Sequence, residues 1–433
     1  MTTMPGFTVD IDHNPYLPAG GRDVSAVVTV AADQTGDALS DDTAAAGGSA
    51  EIIIIDRSGS MGRKKLVQAR VATVAALDVI SDGVWFAIIA GTQGARSVYP
   101  LDGTMALADK RTRAEAKDAV NRLRAGGGTA IGQWLRLAYK IFQSRPATLR
   151  HAILLTDGQN GERQKRLDEA IALCEGAFRC DCRGVGTDWQ VSELRTISTA
   201  LLGTVDIVPD PAGLAADFEA MMRGAMSKQL PDVLLRVWTP QQATVRFVKQ
   251  VAPAIDDLTS RRVQSGPQAG DYPTGAWALG ETRDYHVGIR LNTTDVGQEM
   301  LAARVSLVAS SPASQQVLGQ GLIMAERTRN EELSTRINQR VAHYTGQEEL
   351  ADVIQEGLEA SRRGDKGTAT ATLGRAVALA HQAGNKDTAR LLAKVVDVVD
   401  EATGKVRLKE KVEAADEMAL DTRSTKTVRS KVP

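Results

Sequence analysis

The sequence has few cysteines, almost no net charge and no long apolar run. Its three cysteines, Cys174, Cys180 and Cys182, are odd in number and clustered, which favours reduced thiols over a disulfide framework. A net charge of −1 with 24% charged residues argues against a polyanionic partner such as nucleic acid. No segment resembles a membrane span, and residues 1–10 lack the regions of a secretion signal. We therefore expect a cytoplasmic protein.

The sequence also lacks the residue patterns of several enzyme sites. The five histidines are scattered, and no serine or cysteine elbow accompanies them, so a hydrolase triad has no support. The glycine run at 126–128 is not followed by the Lys-Ser/Thr of a phosphate-binding loop. Cys180 and Cys182 share one face of a predicted strand, but no nearby histidine completes a zinc site. We expect these thiols to pack in the core.

The length of 433 residues and the 43% hydrophobic content indicate a globular protein of about three domains. Apolar residues alternate with polar ones at 7–11 and again at 24–30, which predicts strands within residues 1–32. Residues 33–48 are rich in Ala, Gly, Asp and Thr without periodicity, which is typical of a linker.

Residues 49–228 alternate between strand and helix patterns. The predicted strands cover 51–56, 84–90, 97–101, 151–156, 179–184 and 205–208, and the predicted helices cover 65–80, 110–123, 131–143, 167–174, 191–201 and 214–226. Such alternation predicts a doubly wound α/β domain with a mostly parallel sheet.

Residues 229–325 have the sequence patterns of strands, without helix patterns between them. The predicted strands cover 233–238, 244–251, 284–291, 303–309 and 316–324. They predict an antiparallel β-sandwich, which needs further strands to cover its edges. The strands within residues 1–32 are the natural donors, so we expect the α/β domain to be inserted into this sandwich.

Residues 326–410 are expected to form a helical domain. Glycines separate three predicted helices, at 349–363, 368–383 and 388–399, which indicates a small antiparallel bundle. Residues 411–433 look like a flexible tail. Its hydroxyl residues are interleaved with Arg and Lys, so a phospho-dependent partner is one hypothesis, and a merely solubilising tail is the other. These hydroxyl residues are Thr422, Ser424, Thr425 and Thr427.

The most informative segment is the apolar strand at 52–55, four isoleucines that run directly into Asp56. A strand without a polar face is typical of the centre of a parallel sheet with helices on both sides. Such sheets bind ligands beyond the carboxyl ends of their strands. Ser58 and Ser60 follow Asp56 at alternate positions, so their side chains are expected to point the same way.

Two further segments are expected to reach the same edge. Thr129 follows the glycine run, where the backbone can approach closely, and Asp157 ends a second apolar strand. A hard octahedral cation needs about six oxygen ligands, which one loop cannot supply. The three loops together predict a metal site built from Asp56, Ser58, Ser60, Thr129 and Asp157.

These five residues resemble the metal-ion-dependent adhesion site of the von Willebrand factor A family, in its bacterial cytoplasmic form. The family pattern is Asp-x-Ser-x-Ser, then a distant Thr and a distant Asp, and the sequence matches it in order. The resemblance covers about residues 49–228 and implies a Rossmann-like domain. It also implies that the second aspartate, Asp157, binds directly or through water, and that one coordination position stays open for a carboxylate of a partner protein.

The charge of the predicted site favours Mg²⁺. Two aspartates can neutralise a divalent cation, but three hydroxyls donate little charge, so the ion stays electrophilic. Mn²⁺ could substitute for it, whereas Ca²⁺ normally recruits more carboxylates. Two simpler interpretations remain: the five residues cap helices and turns, or the metal serves stability alone.

We therefore expect a non-enzymatic interaction module whose Mg²⁺ coordinates an acidic residue of a partner protein. One alternative is an adaptor or co-chaperone of an AAA+ ATPase of the MoxR or chelatase-like kind. A less favoured alternative is a metal-dependent phosphohydrolase with Asp56 as nucleophile. Such enzymes usually have a second acid two residues later, where Ser58 stands, and a lysine near the second aspartate.

Overall fold

The computed structural model describes residues 6–33, 48–292, 295–310 and 315–430. The chain divides into two compact units. One, the α/β unit, lies within Leu39–Gln229, and the other, the flanking unit, is formed by Met1–Ala38 and Leu230–Pro433. Almost all of the predicted linker at 33–48 lies outside the described residues.

The first described segment forms three strands of the flanking unit. They are β1 (Phe7–His13), β2 (Tyr16–Pro18) and β3 (Asp23–Ala32). β1 and β3 pair antiparallel from Phe7–Ala32 to His13–Ala26. The alternating residues Val24, Ala26, Val28 and Val30 of β3 are buried in the core, as the period of two predicts.

The α/β unit alternates strands and helices. Its strands are β4 (Ser49–Asp56), β5 (Trp85–Gly91), β6 (Ala95–Tyr99), β7 (Ala106–Leu107), β8 (Leu149–Thr156), β9 (Arg179–Val185) and β10 (Val205–Val208). Its helices are α1 (Gly62–Val79), α2 (Lys110–Asn121), α3 (Ile131–Phe142), α4 (Gln164–Cys174), α5 (Val191–Ala200) and α6 (Leu214–Met226).

The sheet of this unit has the strand order β10-β9-β8-β4-β5-β6. β4 pairs parallel with β5 and β8, whereas β6 and β7 pair antiparallel with β5. Ile53 and Ile55 pack against α1, α2 and α6, and α3 contacts β4 and β5. The isoleucine strand is therefore central and buried, as its composition predicts.

The flanking unit continues with eight strands. They are β11 (Lys228–Trp238), β12 (Ala243–Ala252), β13 (Asp256–Asp257), β14 (Val263–Gly266), β15 (Ala269–Ala278), β16 (Thr282–Leu291), β17 (Glu299–Ser310) and β18 (Gln315–Thr328). One sheet has the order β1-β3-β16-β12-β13 and the other β14-β15-β11-β17-β18-β2. A single hydrophobic core joins them, with Val28 and Tyr285 from the first sheet and Leu235 and Leu307 from the second.

Strands β13, β14 and β15 were not predicted. β15 contains Gly270, Pro273 and Gly275, residues that indicate turns in a sequence. The structure nevertheless pairs this segment with β11 and β14, and it buries Trp277 in the shared core. Tertiary packing of its aromatic residues thus outweighs its weak strand propensity.

The last described segment forms five helices and a hairpin. These are α7 (Glu331–Ser334), α8 (Gln339–Arg362), α9 (Lys366–Gln382), α10 (Lys386–Val395), β19 (Val396–Asp400), β20 (Lys405–Leu408) and α11 (Ala414–Arg423). The helix predicted at 388–399 was too long, because the chain becomes extended at Val396 and pairs with β20. β-branched residues at 395–399 favour that strand.

The sequence of residues 411–433 predicts a helix that frays into a flexible tail, and in the structure residues 414–423 form α11. α11 buries Met418 and Leu420, and Leu420 belongs to the core shared by α8, α9 and α10. Thr422 and Ser424 are buried as well, so a kinase could reach them only after local unfolding. The charged and Thr-rich composition of this segment made the short apolar stripe of Met418 and Leu420 hard to recognise in the sequence.

Two further sequence expectations can be compared with the structure. All three cysteines are free and buried, and burial raises the pKa of the Cys174 thiol to about 12. Among the residues that the structure describes, no helix is both long and apolar enough to cross a membrane.

A charged network lies within the sheet of the α/β unit. The ring nitrogens of His151 on β8 are 2.8 Å from a carboxylate oxygen of Glu51 on β4 and 3.0 Å from one of Asp181 on β9. Burial disfavours the charged imidazole, but the two carboxylates outweigh it and raise the pKa of His151 to about 9. The hydrogen bond from His151, with the nearby Arg183 and Arg179, lowers the pKa of Asp181 despite its burial.

The protein should lose stability in mildly alkaline solution. Because the pKa of His151 is higher in the folded than in the unfolded state, its contribution is complete below about pH 6.5 and is lost as the pH rises through about 9. Between pH 6 and pH 9.5, we expect the free energy of unfolding of His151→Gln to fall by roughly 1–3 kcal/mol less than that of the native chain. Urea titrations at pH 6 and pH 9.5 measure it. The exposed His381→Gln is the control, and equal declines in all three proteins would refute the assignment.

Candidate metal site

The carboxyl edge of the sheet in the α/β unit collects all five residues that the sequence singled out. Asp56 is the last residue of β4, and Asp157 follows β8, its parallel neighbour. Ser58 and Ser60 lie in the turn between β4 and α1, and Thr129 lies just before α3. Asp56 and Asp157 are fully buried, so both carboxylates need polar partners.

The serines connect the two aspartates. The Ser58 amide donates to Asp56 Oδ1 over 2.7 Å, and the Ser58 and Ser60 hydroxyls are 2.8 Å apart. The Ser60 hydroxyl donates to Asp157 Oδ1 over 2.8 Å. Hydroxyl and carboxylate oxygens from two loops thus form one continuous cluster.

The glycine run brings Thr129 to this cluster. Gly126 and Gly127 have φ of +156° and +96°, which L-residues with a side chain rarely adopt. In this conformation Gly126 N–H donates to the Arg57 carbonyl and the Gly127 carbonyl accepts from Gly59 N–H, over 2.7 and 2.8 Å. The loop is thereby fastened to the Asp-x-Ser-x-Ser turn.

Gly158 lies close to two of the hydroxyls. A Cβ atom at residue 158 would lie 3.2 Å from Ser60 Oγ and 3.4 Å from Thr129 Oγ1. The Ser60 and Thr129 hydroxyls, which belong to different loops, therefore both lie beside the residue that follows Asp157. A side chain larger than that of glycine would crowd these two oxygens.

Burial has a clear effect on Asp56. Desolvation raises the pKa of its carboxyl above the usual value, and the adjacent Asp157 adds to this effect. Hydrogen bonds from the Thr156 hydroxyl, over 2.6 Å, and from Ser58 act in the opposite direction. A buried carboxylate whose pKa is raised has a net demand for nearby positive charge.

Lys65 supplies positive charge to the cluster. Its ammonium group donates to Asp157 Oδ2 over 2.7 Å and to the exposed Asp188 over 3.2 Å. Burial lowers the pKa of Lys65, but the two aspartates more than compensate, so the net shift is upward. A cation of the chain itself thus stands where the cluster of oxygens attracts one.

Three residues of this site, Lys65, Thr156 and Gly158, were not predicted from the sequence. Thr156 precedes Asp157 directly and could have been predicted from its position at the end of β8. Lys65 lies one helical turn beyond the motif, and only the path of α1 shows that it reaches Asp157. The second aspartate therefore has a lysine beside it, which is one of the two features that phosphohydrolases of this kind usually have.

The residues present fit a small divalent cation. Asp56 and Asp157 provide charge, while Ser58, Ser60 and Thr129 provide neutral oxygens in the same cluster. Within the described ranges, no group of three or more His, Cys, Asp or Glu side chains is placed to hold a metal ion. Any cation at this edge therefore depends on the hydroxyls, a set that suits Mg²⁺ with water completing its shell.

The rim of the site is basic. Arg57 lies inside the motif, where it donates to the Arg124 carbonyl over 3.1 Å. Burial and the nearby Arg96 lower its pKa. Arg96 and Arg124 are both exposed, so the surface beside Arg57 attracts anionic groups.

Replacing Lys65 should separate its role from that of a metal. Lys65→Met leaves the buried Asp157 without this charge partner, and we expect the free energy of unfolding in EDTA to fall by about 1–3 kcal/mol. Added Mg²⁺ should recover most of this loss, because a bound divalent cation would neutralise the same carboxylate. Urea titration with and without Mg²⁺ measures both effects.

The neighbouring Lys64, which is exposed, provides the matched control. Lys64→Met should change neither value. A loss in Lys65→Met that Mg²⁺ leaves unchanged would show that no divalent cation binds beside Asp157.

Comparisons with known proteins place the chain among its relatives. Residues 52–159 match a family model for the von Willebrand factor type A domain, and residues 378–424 match one for the von Willebrand factor type A C-terminal domain. A solved structure, the von Willebrand factor type A protein from Catenulispora acidiphila, is 50% identical to this chain and has a TM-score of 0.93. The match covers 99% of this chain and 98% of that one.

Two more distant relatives share less. The crystal structure of the ArnB paralog VWA2 from Sulfolobus acidocaldarius has a TM-score of 0.58 at 13% identity and covers 98% of this chain and 99% of that one, which indicates a common fold alone. An uncharacterized protein from Synechocystis sp. is 23% identical over 267 residues. That match spans 61% of this chain and only 62% of the relative's length.

Proposed function

Because the chain belongs to the von Willebrand factor type A family, whose domains generally mediate protein–protein interaction, we propose that it is a non-enzymatic, metal-dependent interaction module. Asp56, Ser58, Ser60 and Thr129 would hold Mg²⁺, with Asp157 acting directly or through water. The bound ion would supply a positive charge with one open position for a carboxylate. The partner would be a protein that presents an Asp or Glu side chain.

The convergence of oxygens from three loops supports this proposal. The hydroxyls of Ser60 and Thr129 both lie beside Gly158, and both aspartates join the same cluster through hydrogen bonds. Simple helix caps or turn contacts would not require oxygens from three loops in one place. The basic rim at Arg57 and Arg96 supports an acidic partner, because like charges there raise the cost of approach for a cationic one.

We further propose that the α/β domain, residues 49–228, is inserted into a β-sandwich. β3 precedes this domain in the chain and β16 follows it, and the two strands pair from Asp23–Arg290 to Ala31–Thr282. The sandwich and the helical region after it would then present the metal-binding domain to its partner. An AAA+ ATPase as that partner remains the alternative.

The chain has one of the two features that a phosphohydrolase of this kind usually has, and it lacks the other. Lys65 stands beside the second aspartate, but position 58 carries a serine where such enzymes usually have an acid. Ser58 instead lies against Ser60 and donates its amide to Asp56. Both carboxylate oxygens of Asp56 thus accept hydrogen bonds, which argues against Asp56 as a free nucleophile.

Metal binding can be measured directly. Titration calorimetry with MgCl₂ and MnCl₂ should detect one divalent site in the native chain and none in Asp56→Ala. Gly158→Ala should bind at least about tenfold more weakly, a loss of about 1.4 kcal/mol, because its methyl group would crowd the Ser60 and Thr129 hydroxyls. Gly224→Ala, where a Cβ meets nothing within 4 Å, is the matched control. Native affinity in Asp56→Ala and Gly158→Ala would exclude a metal at this position.

Partner capture forms a second test. Immobilised protein should retain a partner from native lysate in Mg²⁺ and release it in excess EDTA. Asp56→Ala and Thr129→Ala should retain nothing while keeping native circular dichroism. A partner that is held equally well in EDTA would contradict a metal-dependent contact.

A further inference from the structure

Residues 425–430, here called the strap, follow α11 and run as an extended segment of the flanking unit. The Thr425 carbonyl accepts from Ile255 N–H over 2.8 Å, and Thr427 N–H donates to the Pro253 carbonyl over 3.1 Å. Between them, Lys426 forms an isolated antiparallel bridge with Ala254. The strap therefore pairs with the chain just beyond β12 as a short added strand would.

Gln347 on α8 holds the opposite side of the strap. Its amide nitrogen donates to the Val428 carbonyl over 2.8 Å, and its amide oxygen accepts from Val428 N–H over 2.7 Å. One side chain thus pairs with both peptide groups of a single residue, as a neighbouring strand does. These contacts recognise an extended backbone and are independent of the side chain at position 428.

Two side chains of the strap add specificity. The Thr427 hydroxyl donates to the Val251 carbonyl over 2.6 Å. The Arg429 guanidinium contacts both carboxylate oxygens of Asp284, over 3.1 and 3.3 Å. Asp284 is fully buried in β16, where Thr29 and Tyr344 also donate to it.

The strap itself contributes little to the hydrophobic core. Val428 is 37% exposed, and Lys426 and Arg429 are exposed as well. By contrast, two of the residues that the strap contacts, Asp284 and Gln347, are buried. If the strap left, Asp284 would lose its charged partner and Gln347 its two hydrogen bonds to the strap, and another extended segment with the same pattern could replace them.

We propose that this groove is a docking site for a partner protein, and that the strap is its intramolecular occupant. The groove is formed by Val251, Pro253, Ile255, Asp284 and Gln347. The matching partner segment is extended and carries a threonine two residues before an arginine, as Thr427 and Arg429 do. The tethered strap has an effective concentration in the millimolar range, so it suppresses weak ligands until it is displaced. This site is independent of the metal site in the α/β unit.

A synthetic peptide tests the exchange. The probe is a fluorescein-labelled peptide with the sequence of residues 422–430, and fluorescence anisotropy measures its binding to the full chain. Arg429→Ala weakens the internal strap, so we expect this protein to bind the probe at least tenfold more tightly than the native chain does. A probe in which the arginine is replaced by alanine should bind at least tenfold more weakly.

Controls keep the test specific. Val428→Ala in the protein or the probe should change binding less than twofold, because its side chain is 37% exposed and its contacts with Gln347 are made by the backbone. Asp284→Asn should bind the arginine and alanine probes equally. Arg429→Lys, which keeps the charge but not the two-point contact, replaces Arg429→Ala if that variant does not fold, with an intermediate gain. No saturable binding to either Arg429 variant, or binding that ignores the arginine of the probe, would show that the strap is only structural.

Discussion

The parallel pairing of β4 with β8 is the constraint on which the candidate metal site depends. Register Ile55–Leu155 places the ends of two apolar strands side by side, so Asp56 and Asp157 must share one edge although 100 residues separate them. Close packing on both faces holds this register, because a slip of one residue would move every side chain out of the space that its neighbours leave for it. Loop geometry then adds hydroxyls to a pair of carboxylates whose positions the core has already determined.

The alternation of strand and helix patterns over residues 49–228 sufficed to predict the α/β fold. The isoleucine strand, the glycine run, the second strand-Asp pattern and the family resemblance sufficed to predict that five side chains converge. The contact of Lys65 with Asp157 was not predicted, because it depends on how far a flexible side chain extends from α1. β15 was not predicted either, because its glycines and proline favour turns and only the neighbouring strands stabilise it as a strand.

The flanking unit shows the same limit at its helical end. The Thr-rich composition of residues 411–433 indicated a solvated segment, yet α11 completes the helical core through Leu420. The strap beyond it is ordered by peptide groups, one amide side chain and one ion pair. Contacts made by the backbone leave no trace in residue type, so sequence patterns cannot reveal them.

The pairing of β3 with β16 also sets an order for folding during synthesis. Asp23–Ala32 leaves the ribosome long before Thr282–Leu291, its partner strand. The intervening α/β unit has its own core and can fold while β3 still has an unpaired edge. For that interval the valine-rich β3 is an open template for pairing between nascent chains. Slow translation beyond residue 230 would therefore promote aggregation, and a chaperone that covers β3 would be of most use to this protein then.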